Sequence, residues 1–98
     1  MVVEFDDSDL DRLETDAKFD AGFSANVVTA YRKRIQFIRC AEDERAFYAS
    51  KSWHYEKLQG RPGEHSIRLN DQWRLIVRYS GSEKDKIIVV VSIEDYHR

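Results

Sequence analysis

The sequence predicts a single α+β domain: two N-terminal helices packed on a twisted, mainly antiparallel sheet of four to five strands. Three observations predict it. The chain has 98 residues, enough for one hydrophobic core and too few for two, since domains usually run to about 100–150 residues. Apolar residues recur at spacings of three and four in the first half and alternate in the second, and Gly60, Pro62 and Gly63 mark the change. Helices first and strands afterwards is the order that segregates helices to one face of a sheet.

Val2, Val3 and Phe5 are β-prone and stand before a cluster of aspartates, so a short strand should end near Asp6. Ser8 or Asp9 then caps a helix over Asp9 to Lys18, where Leu10, Leu13 and Ala17 make a narrow stripe and acids crowd the first turn, the end at which the helix dipole favours them. Ser24 precedes the strongest helix, Ala25 to Arg39. Its apolar face is Val27, Val28, Tyr31, Ile35 and Ile38, with Arg32, Lys33, Arg34 and Arg39 largely outside. Glu42 to Ala49 adds a turn or two anchored by Phe47 and Tyr48. Beyond the glycine-proline turn, His65 to Leu69, Gln72 to Tyr79 and Ile87 to Glu94 read as a three-stranded meander. Both parities of Ile87 to Ile93 are mostly apolar, which predicts an interior strand covered on both faces.

Composition excludes several classes. With 42% hydrophobic and 12% aromatic residues, wholesale disorder is ruled out. The apolar run from Ile87 is far short of the ~20 residues of a membrane helix. Residues 1–7 lack the basic and apolar regions of a secretory signal, and Cys40 is the only cysteine, so a cytoplasmic location is expected. Cys40, at the end of a striped helix, reads as a half-buried small residue and not as a nucleophile. Neither a His or Cys pair at ligand spacing, a carboxylate loop nor a glycine-rich phosphate loop is present, so no metal or cofactor is expected.

Net charge is -2, yet it is unevenly distributed: residues 1–20 carry eight acids and two bases, leaving the remainder at +4. A polyanion within a Debye length of about 8–10 Å responds to the nearest face, so a basic face remains open to nucleic acid. The same acids also fit a solvated surface that serves solubility.

Two features exceed simple burial. Trp73, Leu75, Val77 and Tyr79 alternate with Arg74, Ile76 and Arg78, as Ile67 and Leu69 do with Ser66 and Arg68. A three-residue loop of Asn70, Asp71 and Gln72 keeps these faces consistent, and it sets Arg68 opposite Arg74. Two like charges in register suggest an anion between them; pairing with Glu94 or Glu56, or simple exposure, is the plainer account. The second feature is the run Ile93-Glu94-Asp95-Tyr96-His97-Arg98 after the last strand. Histidine exchanges protons near neutral pH, tyrosine donates a hydrogen bond and aspartate orients an imidazole, so the run reads either as an acid/base cluster or as a surface tail. His54 and His65 read by themselves as ordinary polar residues.

Tyr55-Glu56-Lys57-Leu58-Gln59-Gly60, then Ser66-Ile67-Arg68-Leu69-Asn70-Asp71-Gln72-Trp73-Arg74-Leu75, then Glu94-Asp95-Tyr96-His97, together resemble the HigB, or plasmid maintenance killer, toxins of the RelE/ParE superfamily over nearly the whole chain. The resemblance implies one RelE-like, microbial-ribonuclease-like domain over residues 1–98. It implies a type II toxin that cleaves messenger RNA on the ribosome, restrained by a HigA-type helix-turn-helix antitoxin through which alone it would reach operator DNA, with no membrane partner. Asp95, Tyr96 and His97 match the family's terminal active-site triplet, Arg74 its strand arginine and Lys57 its basic approach; Arg61, Arg68, Arg78 and His54 are further candidates for contacting RNA. Many relatives carry histidine where this chain has Glu56, so the second acid/base group is Glu56, His54 or neither. Such cleavage uses the substrate's 2′-hydroxyl and needs no metal. Two other readings stay open: a ParE-like inhibitor of DNA gyrase, which would not need the terminal triplet, and an inactive regulatory partner that only binds antitoxin.

Overall fold

The computed structural model describes residues 1–82 and 84–96. In chain order it contains β1 (Val2–Phe5), α1 (Ser8–Thr15), α2 (Ala25–Cys40), α3 (Arg45–Ala49), a 3-10 turn (Lys51–Trp53), β2 (Glu56–Lys57), β3 (Glu64–Arg68), β4 (Trp73–Ser80) and β5 (Ile87–Asp95). The strands form one mixed sheet in the order β1-β5-β4-β3-β2, in which β1 runs parallel to β5 and every other pair is antiparallel. The expected α+β architecture is the observed one, the turn or two expected over Glu42 to Ala49 forming α3, with a two-residue edge strand added. Among the described residues no helix is long and apolar enough to cross a membrane.

One face of the sheet is covered. Leu13, Val27, Tyr31, Ile35, Ile38 and Phe47 pack against Ile67, Leu75, Val77, Ile88 and Val90, all of them fully buried. Full burial of such a side chain contributes roughly 1.5–3 kcal/mol, so the apolar stripe of α2 is the main source of cohesion. Polar ties secure the helical layer: the Tyr31 hydroxyl donates to the Leu10 carbonyl at 2.7 Å. Arg32 donates to the carbonyls of Leu13, Asp16 and Phe19 at 2.9–3.2 Å, supplying partners at the end of α1 and in the turn beyond.

The β3–β4 register is the one that alternation predicts, with Arg68 opposite Arg74 and the Leu69 N–H donating to the Trp73 carbonyl. Asn70 Oδ1 braces the connecting loop by accepting from the backbone of Gln72 and Trp73.

Four expectations need correction. Asp7, not Ser8 or Asp9, caps α1 by accepting from the Asp9 N–H at 2.7 Å, and α1 ends at Thr15, which leaves Ala17 exposed. Tyr48 is 57% exposed, so Phe47 alone anchors α3. Cys40 is exposed at the C-terminal end of α2. The two apolar parities of β5 do not mean burial on both faces along its length. Ile76 pairs with Ser92 and Val77 with Val90, so Val91 is an extra residue and forms a bulge. Before it Ile88 and Val90 face the core; after it Ile93 does, and Ser92 and Glu94 emerge on the open face.

Candidate active site

Arg68, Arg74 and Glu94 stand side by side on the open face, in register across β3, β4 and β5. Pattern alone suggests an anion shared by the two arginines, or a carboxylate for each. The structure divides them differently. Arg68 pairs with Asp71. Glu94 is occupied by Arg61, which donates to both carboxylate oxygens at 2.7 and 2.9 Å, and by the Ser92 hydroxyl at 2.5 Å. Arg61, and after it Ser92, hold the Glu94 carboxyl well below the usual range, at about 2. Arg61 also binds Glu64 at 2.7 Å, and these contacts raise its own pKa.

Arg74 forms no ion pair with any described residue. It is 8% exposed, and its Nε and Nη1 are buried without a hydrogen-bond partner. The Tyr96 ring lies over its guanidinium, 4.1 Å from carbon to ring centroid, a cation–π contact that holds the plane without using the N–H groups. Arg74 and Tyr96 share a cleft of about 250 Å³ with Leu58, Arg61, Ser66 and Asp95. An adjoining hollow of about 270 Å³ has Leu58, Gln59 and Tyr96 in common with it and adds Glu56 and Lys57. The larger hollow of about 380 Å³ around Glu42 and Lys86 lacks any buried, unpartnered polar side chain among the described residues.

The β5 bulge makes this arrangement. By turning Ser92 and Glu94 outward it allows the chain to leave the sheet with Tyr96 above Arg74, and the Tyr96 N–H is then tied to the Gln72 carbonyl at 2.6 Å. Asp95 accepts from the Gln72 side chain at 3.1 Å.

Of the residues singled out by sequence, Arg74, Tyr96, Asp95 and Arg61 line the cleft and Lys57 the adjoining hollow. Arg78 lies four residues farther along β4 and binds Asp6 at 3.0 Å. His54 is exposed in a left-handed conformation (φ 46°) ending the 3-10 turn and lines neither hollow. Glu56 lies opposite Ser66 and borders the hollow. His97 lies outside the described residues. Alternation with Ile67 and Leu69 had already set Ser66 on the Arg68 face, but sequence did not single it out as a site residue.

A family model described as the RelE-like toxin HigB of type II toxin-antitoxin systems matches residues 3–97. The chain belongs to this family. The toxin is also similar in fold to a YoeB/ParE toxin from Agrobacterium tumefaciens, with a TM-score of 0.63 and 20% identity over 99% of this chain and 100% of that one. Among curated proteins no match is found. Membership makes the protein the toxin of a type II pair, with an antitoxin as partner.

Proposed function

We propose that this toxin cleaves messenger RNA on the translating ribosome by metal-independent acid/base chemistry. The observation that carries the reading is Arg74: a buried guanidinium with unfilled donors, held under Tyr96 in a cleft that continues toward Lys57. Such a group suits a phosphodiester, and endoribonuclease activity is the general behaviour of RelE-like toxins.

In this mechanism the substrate's 2′-oxygen attacks the adjacent phosphorus as its proton passes to a base. The 5′-oxygen leaves with a proton from an acid, giving a 2′,3′-cyclic phosphate and a 5′-hydroxyl. His97, directly after Tyr96 in the chain, exchanges one of these protons and Asp95 orients its imidazole. Glu56 is favoured over His54 for the other, because it borders the hollow beside Tyr96. Arg74 and Lys57 stabilise the charge that accumulates on the phosphorane-like transition state. A HigA-type helix-turn-helix antitoxin would restrain the toxin in the cytoplasm.

The test is induction of wild type and His97→Gln, with transcript ends mapped and plasmid supercoiling followed. Codon-associated cuts from wild type that disappear in a folded, antitoxin-binding variant are expected. A His97→Gln variant that stays fully toxic removes His97 from the chemistry. Intact transcripts with inhibited gyrase would replace the reading with a ParE-like poison, and antitoxin binding without toxicity would leave a regulatory partner.

A further inference from the structure

Four side-chain atoms among the described residues are buried without a hydrogen-bond partner: His65 Nδ1, Ser66 Oγ, and Nε and Nη1 of Arg74. Three of the four belong to residues lining one cleft. Leaving a buried polar group unpaired costs about 1–3 kcal/mol, and more when it is charged, so a cluster of three marks a place where a polar ligand completes the structure.

The geometry defines that ligand. Ser66 lies opposite Ile76, and Arg74 is two residues from Ile76 on the same face of β4, so the two are diagonal neighbours across adjacent strands. A guanidinium only donates and a hydroxyl can donate, so the ligand must offer several acceptors at once. Of the carboxylates lining the cleft, Glu94 is taken by Arg61 and Ser92 and Asp95 accepts from the Gln72 side chain, and among the described residues no carboxylate bonds the orphaned atoms of Ser66 and Arg74. The acceptors must come from outside. A tetrahedral oxyanion fits, with Leu58 and Ile76 giving the cleft apolar wall.

We infer that Ser66 is a further phosphate-binding group of the toxin, its hydroxyl donating to a non-bridging oxygen of the phosphodiester whose charge Arg74 takes. This deepens the ribonuclease reading and rests on it for the reaction, though not for the anion site. Ser66 is 1% exposed, so its hydroxyl is shielded from water, the condition under which one donor counts most toward a transition state.

Two measurements on the full chain test it. In the first, the Arg74 Nε–H signal is followed by ¹⁵N NMR while inorganic phosphate is titrated at constant ionic strength. The expected result is a saturable shift in wild type and roughly tenfold weaker binding in Ser66→Ala. Phosphate binding equal to wild type in Ser66→Ala, or no shift at Arg74 in wild type, overturns the inference. In the second, cleavage on programmed ribosomes should lose about 10²-fold in kcat in Ser66→Ala, with KM little changed, the size of effect expected for one lost oxyanion donor. Wild-type cleavage by Ser66→Ala sinks the inference and leaves the nuclease standing. Absence of cleavage by wild type, with phosphate binding still dependent on Ser66, sinks the nuclease and leaves the anion site.

Discussion

Arg74 is held where it destabilises the folded chain. A buried guanidinium with two unfilled donor atoms costs more than a neutral side chain of similar length. Arg74→Met should therefore raise stability by about 1–3 kcal/mol in urea denaturation while transcript cleavage collapses; a variant both less stable and still active would contradict the assignment. His65 presents a second unpaired atom with a different consequence. It stacks on Tyr55 at 5.0 Å between centroids and meets the edge of Tyr79 at 5.7 Å, and burial lowers its pKa. The unfolded chain then binds a proton that the folded chain resists. Stability is complete above the unfolded value of about 6.5 and declines as pH falls through it toward the lower folded value. Denaturation midpoints at pH 8 and pH 5 should differ, and His65→Phe should shrink the difference. Glu94 has the same sign at lower pH. Its pKa falls from about 4.5 to about 2 on folding, so the contribution of the Arg61 pair is lost mainly below pH 5 and adds little to that interval.

At the scale of elements, one short feature does most to place the site. The Val91 bulge changes which parity of β5 faces the core, and deleting Val91 would swing Glu94 inward and Ile93 outward. That deletion should prevent folding, as measured by loss of a cooperative thermal transition, whereas Val91→Ala should be mild. The Asp7 cap is a smaller effect: Asp7→Ala should cost about 1 kcal/mol, read by denaturation. These elements also show how much was legible in sequence. The Arg68–Arg74 register was, because a one-residue slip would mix apolar and charged side chains on each face. The bulge was not, because an apolar residue at every position from Ile87 to Val91 fits either parity. Nor was the cap, since Asp6, Asp7, Ser8 and Asp9 are all competent and tertiary packing selects among them. Sequence also gathered the cleft residues Arg74, Asp95 and Tyr96, but not Arg61's engagement with Glu94 nor the isolation of Ser66, which depend on which partner each group finds in space.

Across the whole molecule, the acidic N-terminal segment is only partly a free surface. Asp6 binds Arg78, Glu14 binds Arg39 through two bonds of 2.7 Å, and Asp16 binds Arg12 at 3.3 Å. Asp9 and Asp11 carry no such side-chain contacts with described residues, so Asp9→Asn with Asp11→Asn isolates the long-range field. If that field contributes to partner binding, the double variant should change antitoxin affinity and its salt dependence beyond the stability cost of about 0.3–1 kcal/mol for each charge lost from the first turn of α1; an unchanged salt slope would leave these acids with a role in solubility. The helices cover one side of the sheet and leave the other to the cleft, so core and chemistry occupy opposite faces of the same strands.

Pairing of β1 with β5 sets Val2 beside Ile87, joining segments from opposite ends of the described chain. During synthesis β1 has no strand partner until the residues between it and β5 have been made, and β5 also carries the bulge that brings Tyr96 over Arg74. A nascent polypeptide interrupted before β5 would have no cleft, because Glu94, Asp95 and Tyr96 all line it.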